Sequence, residues 1–195
     1  MFRLIETIRI EDGFPQNLLL HQQRMEATFL HFFPHSQVPS LERHLAKKRF
    51  PQSGILKCRV LYNQRILKTE ITTYLPKEIG SFRLIRDDSV SYDYKFNDRR
   101  ILMRGNNNEE SIFVKKGLIT DTSFSNLAVQ LGSEWYTPAQ PLLRGTMRAS
   151  LLQSGQIQEK DISVEELLSC QKFRLINAML PPEVSKDYSP SLITY

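Results

Sequence analysis

A change of hydrophobic period within the first 33 residues constrains this chain most. Residues 2–10 alternate, with Phe2, Leu4, Ile8 and Ile10 on one face of a strand and Glu6 on that same apolar face. After Asp12-Gly13 and Pro15, residues 18–33 follow a helical repeat: Leu18, Met25, Phe29, Phe32 and Phe33 form the apolar stripe, and Pro34 ends it. His21, Arg24 and Thr28 lie three and four residues apart, so they share the polar face of that helix.

The same mixture continues. A short helix is expected over residues 41–50, opened by Ser40, and two alternating segments, 55–62 and 65–75, are separated only by Asn63-Gln64, a hairpin signal. Together these make a small α+β lobe over residues 1–79, with Pro76-Lys77-Glu78-Ile79-Gly80 as the hinge. Residues 80–195 read as a larger, β-rich lobe. Strands are expected at 82–85, 111–115, 118–120, 124–130 and 135–138, the second and third meeting at Lys116-Gly117. A polar stretch, Arg104-Gly105-Asn106-Asn107-Asn108, interrupts them. A helix follows at 147–153 with Gly155 as its C-cap, and Ser163-Val164-Glu165-Glu166 is a capping-box pattern.

At 195 residues, 41% hydrophobic and 24% charged, the chain can bury a substantial core, which excludes a disordered or fibrous protein. No run approaches the roughly 18 apolar residues of a membrane span, and Arg3 and Glu6 bring charge in too early for a signal peptide. A soluble cytoplasmic protein is the expectation. Cys58 and Cys170 show no C-x-x-C spacing and the four His are irregularly placed, so two buried, reduced thiols and no metal site are expected. The net charge of +5 is diffuse, with 15 Lys+Arg against 11 Asp+Glu in residues 1–98 and 11 against 10 in the rest. Its densest cluster, Lys47-Lys48-Arg49 after His44, is read as a solvated helix face, with a polyanion site as the alternative; no interleaved aromatics accompany it, and no nucleic-acid partner is expected.

Familiar local signatures are missing: there is no G-x-G-x-x-G, no Walker-type G-x-x-x-x-G-K, no H-E-x-x-H and no G-x-S-x-G. The sequence offers instead an ordered series of blocks: His21-x-x-Arg24, Tyr94-Lys95-x-x-Asp98-Arg99, Gly117-Leu118-Ile119-Thr120-Asp121-Thr122-Ser123-x-Ser125-Asn126, Trp135-x-Thr137-Pro138, Leu142-Leu143-x-Gly145-x-x-Arg148 and Ile176-Asn177-Ala178. In order and spacing, over residues 6–182, this series resembles the class IV aminotransferases, the pyridoxal-phosphate enzymes of fold type IV. That superfamily includes branched-chain and D-amino-acid aminotransferases and aminodeoxychorismate lyase. The resemblance implies a two-lobed α/β (α+β), D-amino-acid-aminotransferase-like fold. It also implies a homodimer, and a cofactor lying in the cleft between a small N-terminal lobe and a larger one.

Roles carry over block by block. Lys95 matches the lysine that holds the cofactor aldehyde as an imine, where partial desolvation favours the neutral amine. Asp121 matches the acid that keeps the ring nitrogen protonated, where many relatives carry Glu, one methylene longer. Arg24 matches the phosphate-binding arginine, and Gly145 and Thr146 open a helix whose amides would point at the phosphate. Met147 stands where a Thr hydroxyl often contacts phosphate, so only backbone contacts carry over there. Asn177 and Ala178 match the last phosphate-side block, Ala178 without the hydroxyl that some relatives supply. Ser123, Ser125 and Asn126 would lie beside the ring as a polar turn. Tyr92, Tyr94 and His21 are secondary, His21 as a residue that steadies Arg24.

Two departures make this a minimal version of the fold. Relatives carry a strand-and-loop segment with a Y-G-D-G-like stretch ahead of their counterpart of residues 4–9, and a longer helix where this chain has residues 104–110. The chemistry implied is proton abstraction by Lys95 from an amino-bearing carboxylate substrate, with charge delocalised into the ring above Asp121. Two outcomes share those steps: elimination of pyruvate from aminodeoxychorismate, which the K-x-x-D-R block and the small size favour, and transamination with a 2-keto acid. A degenerate relative that binds cofactor or partner without catalysis is the non-enzymatic alternative.

Overall fold

The computed structural model describes residues 2–104 and 108–194. The chain forms two compact units, one of Met1–Leu75 with Tyr94–Asn97 and one of Pro76–Asp93 with Asp98–Tyr195.

In the first unit, β1 (Leu4–Glu11) turns through Asp12-Gly13, both at positive φ, into β2 (Phe14–Pro15). Two helices follow, α1 (Leu18–Phe32) and α2 (Leu41–Leu45), then the hairpin of β3 (Ile55–Tyr62) and β4 (Ile66–Thr73). The antiparallel sheet has the order β2-β1-β3-β4. Leu4, Ile8 and Ile10 of β1 meet Met25 and Phe29 of α1 and Val60 and Tyr62 of β3 in one core. Because side chains alternate along a strand, Glu6 is carried into that same core, where it is fully buried. α2 stops at Leu45 rather than reaching residue 50. Continuing it would set Arg43 against Lys47 and His44 against Lys48 at helical i,i+4 spacing, and Pro51 disfavours helical backbone at Phe50.

The second unit contains β5 (Ser81–Arg86), β6 (Glu109–Lys115), β7 (Leu118–Thr122), β8 (Asn126–Leu131) and β9 (Glu134–Pro138), then α3 (Thr146–Gln153) and β10 (Gln158–Lys160). It closes with α4 (Val164–Ser169), β11 (Lys172–Ile176), β12 (Asp187–Tyr188) and β13 (Ile193–Thr194). Its two sheets run β13-β5-β6-β7 and β10-β9-β8-β11-β12. Lys116 and Gly117 both take positive φ at the β6–β7 turn, as a tight hairpin requires. Leu127, Val129, Phe173 and Leu175 join Phe82, Ile112 and Val114 in the main core. Their strand neighbours of opposite parity, Ala128 and Ile176, pack with Met147 and Leu151 of α3 in a second core. α3 is thereby fixed against β8 and β11. Gly155 adopts the positive φ of a helix-terminating glycine, and Ser163 and Glu166 form the reciprocal bonds of a capping box.

Cys58 and Cys170 are buried and unpaired. No described helix is long and apolar enough to cross a membrane. The polar stretch at 104–108 falls largely on residues 105–107, which lie outside the described ones.

Candidate functional site

In the first unit, two side chains of α1 converge on one carboxylate of β1. Glu6 of β1 receives the Nε of Arg24 at 3.0 Å and its Nη2 at 2.5 Å, and the Nδ1 of His21 lies 2.6 Å from Glu6 Oε2. His21 and Glu6 are fully buried, while the Arg24 side chain is 14% exposed. Burial raises the cost of ionising Glu6, but the Arg24 guanidinium and the bond from His21 outweigh it and hold the carboxyl at about 2. Burial pushes His21 the other way, keeping it neutral below its ordinary value despite the carboxylate. His21 and Arg24 are thus joined through Glu6. In the sequence Glu6 stands on the apolar face of its strand with no role of its own; a carboxylate at a core position is the signal that points to one.

Lys95 sits on a short extended segment docked onto β1. Ile5 N–H donates to Lys95 O at 3.0 Å, Asn97 N–H donates to Arg3 O at 2.8 Å, and Leu4 and Phe96 form a bridge. Tyr94 stacks on His31 with ring centres 4.8 Å apart and meets Phe32 edge-on at 4.7 Å; Phe96 packs against Phe2 and Phe32. The aromatic neighbours on either side therefore pin the lysine's backbone to α1 and β1. Lys95 is half-buried, and its charge acts on His21.

In the second unit the focus is Asp121, the penultimate residue of β7, at 3% exposure. Asn126 Nδ2 donates to its Oδ1 at 2.8 Å, and Leu143 N–H donates to its Oδ2 at 2.8 Å. Burial drives this carboxyl up to about 7, against the bonds from Asn126 and Leu143 and the charge of Arg148. Asn126 Nδ2 also donates to Leu143 O at 2.8 Å, and a Cβ at Gly145 would overlap Asn126 Oδ1, so the small residue at 145 admits the Asn126 side chain. The turn from β7 to β8 is closed by Thr122 Oγ1 and Ser125 Oγ at 2.9 Å. It is braced by Glu110, which accepts from Ser123 N–H at 2.9 Å, and by Arg99, which donates to Ser123 O. Neither brace was assigned from the sequence.

Gly145 begins α3 in an extended conformation, with no side-chain cap and no acid in the first turn, an N-terminus suited to an anion. Thr146 and Met147 are buried there, Met147 in the apolar core under α3. Arg148 ties Pro138 O at 2.8 Å and Glu159 at 2.6 Å, a structural use. Asn177 stabilises its own turn through Met179 N–H at 2.8 Å and reaches Phe124 O at 3.4 Å, which brings the Asn177-Ala178 block to the β7–β8 turn. Asp121, Ser125, Asn126, Gly145 and Asn177 are therefore linked in the second unit; Arg24 and Lys95 lie in the first. Among the described residues no group of three or more His, Cys, Asp or Glu could hold a metal ion.

The amino-transferase class IV family model matches residues 93–181. The chain is 36% identical over 186 residues to an uncharacterized protein of Haemophilus influenzae, covering 92% of this chain and 98% of that protein. The crystal structure of a provisionally named 4-amino-4-deoxychorismate lyase from Haemophilus somnus superposes with a TM-score of 0.84 at 34% identity, covering 92% of this chain and 97% of that one. A hypothetical aminotransferase from Mycobacterium tuberculosis in its PLP-bound form shares the fold, with a TM-score of 0.71 at 17% identity over 95% of this chain and 80% of that one.

Proposed function

The chain belongs to the class IV aminotransferase family, and on that premise we propose that it binds pyridoxal phosphate and releases pyruvate from aminodeoxychorismate, leaving 4-aminobenzoate. The observation that carries the cofactor reading is Asp121: a nearly inaccessible acid, hydrogen-bonded by neutral N–H groups and raised to about 7 by burial, gains most from a cationic N–H partner. A protonated pyridine nitrogen is such a partner. Support for the lyase outcome is the 34% likeness to the Haemophilus somnus protein.

When bound, the cofactor supplies an electron-withdrawing ring, held as an imine, that stabilises negative charge on the amine-bearing carbon of the substrate. Lys95 would hold its aldehyde, and the docked segment 94–97 fixes the backbone from which that amine extends. Once the substrate amine has displaced it from the aldehyde, Lys95 would be free to take the proton from the amine-bearing carbon, and by retaking the aldehyde it would release the product amine. Loss of that proton and of the enolpyruvyl ether would leave the substrate's own six-membered ring aromatic, as 4-aminobenzoate, and the departing enolate would take up a proton to become pyruvate. Asp121, fixed by Asn126 and Leu143, would place its negative charge against the ring nitrogen. The amides opening α3 and the Asn177 turn would hold the phosphate. Arg24 adds directional N–H donors more than net charge, since Glu6 already balances it. A homodimer and a cytoplasmic location belong to the same reading; sedimentation reports on the first.

The test is the visible absorbance of purified protein with added pyridoxal phosphate, before and after borohydride, beside Lys95→Ala, followed by a coupled assay for pyruvate. An imine band fixed by borohydride onto Lys95, missing in the variant, together with pyruvate release, is the expected result. Keto-acid-dependent amine transfer without pyruvate would reassign the chain as a transaminase. A folded wild type with no band would end the cofactor reading.

A further inference from the structure

The basic run that the proposed chemistry leaves unused gains a distant partner in the fold. α2 and the segment after it place Arg43, His44 and Lys47 around a shallow pocket of about 370 Å³, and Arg65 joins them from the turn between β3 and β4. Val38, Pro39 and Ile66 give the pocket apolar surface, and no carboxylate lines it. Elsewhere most cations are matched: Arg9, Arg24, Arg59, Lys68, Lys77 and Arg148 each hold a Glu. Among the described residues, by contrast, Arg43, Lys47, Lys48, Arg49 and Arg65 form no ion pair with any Asp or Glu.

Like charges converging on one concavity repel one another and raise the local concentration of anions. His44 registers that field. Its Nε2 lies 2.7 Å from Thr69 Oγ1 on β4, and burial together with the charges of Lys48 and Lys47 lowers its pKa below the ordinary value. Arg43 and Arg65 are both exposed, so their guanidinium forks can turn toward a tetrahedral oxyanion. The volume falls at the small end of the roughly 300–1,000 Å³ typical of small-molecule sites. No Phe, Tyr or Trp lines the pocket, so it offers no platform for stacking successive bases.

We infer that this pocket on the first unit binds a small organic phosphate carrying two or more negative charges, its oxyanion held by Arg43, Lys47 and Arg65 and its apolar body against Val38 and Ile66. The site is independent of the pyridoxal-phosphate reading, because none of its residues belongs to the cluster around Glu6 or to Lys95.

The experiment titrates inorganic pyrophosphate into the cofactor-treated protein while NMR follows the His44 ring. A phosphate in the pocket offsets the field of the lysines, so the expected result is a saturable one-site shift and a higher His44 pKa with ligand. Raising KCl from 0.05 to 0.3 M should weaken binding several-fold, as screening of exposed charges requires. The triple variant Arg43→Gln/Lys47→Gln/Arg65→Gln, altered only at exposed positions, should bind at least tenfold more weakly. Lys47→Arg/Arg65→Lys, which keeps the charges, should retain measurable binding. Lys95 chemistry, read by borohydride, should be the same in both variants. Non-saturable shifts, or equal affinity in the triple variant, would overturn the proposal and leave a solvated face. An oligonucleotide binding far more tightly than pyrophosphate, with affinity growing with its length, would overturn it in favour of a polynucleotide surface.

Discussion

Glu6→Gln isolates the electrostatics of the first unit, because it removes one charge and almost no volume. The carboxyl stands at about 2 against an ordinary 4.5. At about 1.4 kcal/mol per pH unit that depression corresponds to roughly 3 kcal/mol of folding stability at neutral pH. Removing one member of a buried pair typically costs about 3–5 kcal/mol; Gln can still accept from His21, which places the expected loss near 3. Because the folded pKa is depressed, the stabilisation is complete above about pH 4.5 and disappears as pH falls toward 2. Urea unfolding of wild type and Glu6→Gln at pH 7 should differ by about 3 kcal/mol, and near pH 2.5 by under about 1 kcal/mol. Adding Arg24→Met to Glu6→Gln should cost less than the sum of the two single changes, since the stranded cation goes with its partner. A difference below about 1 kcal/mol at pH 7, or one that acid leaves unchanged, would refute the assignment of Glu6 as the ionised centre of the cluster.

Gly145→Ala should displace Asn126 from Asp121, costing about 1–3 kcal/mol in denaturant titrations and weakening pyridoxal-phosphate binding measured by absorbance. Asp121→Asn should change the pH dependence of the cofactor-free protein. The Asp121 pKa is raised to about 7, so wild type loses a few kcal/mol relative to the variant between about pH 4 and 8, and added pyridoxal phosphate should flatten that loss; equal pH profiles would contradict it. Ser163→Ala removes the reciprocal cap of α4 and should lower stability by about 1 kcal/mol without changing pyruvate release.

What was legible in the sequence follows from how local each signal is. β1 carries Leu4, Ile8 and Ile10 into the core as their period of two requires, and the capping box at Ser163 is complete within four residues. α1, by contrast, buries His21 and Thr28 of its polar face beside Met25 and Phe29, because Glu6 and the Arg24 carbonyl meet them there. β11 was missed although it lies inside its sheet, between β8 and β12: its polar members, Lys172 and Arg174, are matched by Asp187 and by the Trp135 ring, both distant in sequence. The overextension of α2 has the opposite cause, since propensity favours helix through residues 46–50 while convergent positive charge opposes it. At the candidate site, block order singles out Lys95, Asp121 and the start of α3 as candidates. It gives no role to Glu6, Arg99 or Glu110, whose roles consist of contacts to residues at least 13 positions away.

Glu6 and Asp121 show why residue type and burial together still do not define a role. Both carboxylates lie on strands and are at most 3% exposed, yet one is held at about 2 and the other at about 7. Arg24 and His21 come from a helix packed directly on β1, so the charge of Glu6 is matched within its own unit whatever binds. Asp121 is hydrogen-bonded by an amide side chain and a backbone N–H, donors that orient a carboxylate without supplying a full charge. Swinging it toward a ligand would break the bond to Asn126 or to Leu143, so Asp121 works as a fixed acid to which the cation must come. That rigidity is the physical use of Gly145: any larger residue there would push Asn126 aside and release the carboxyl it holds.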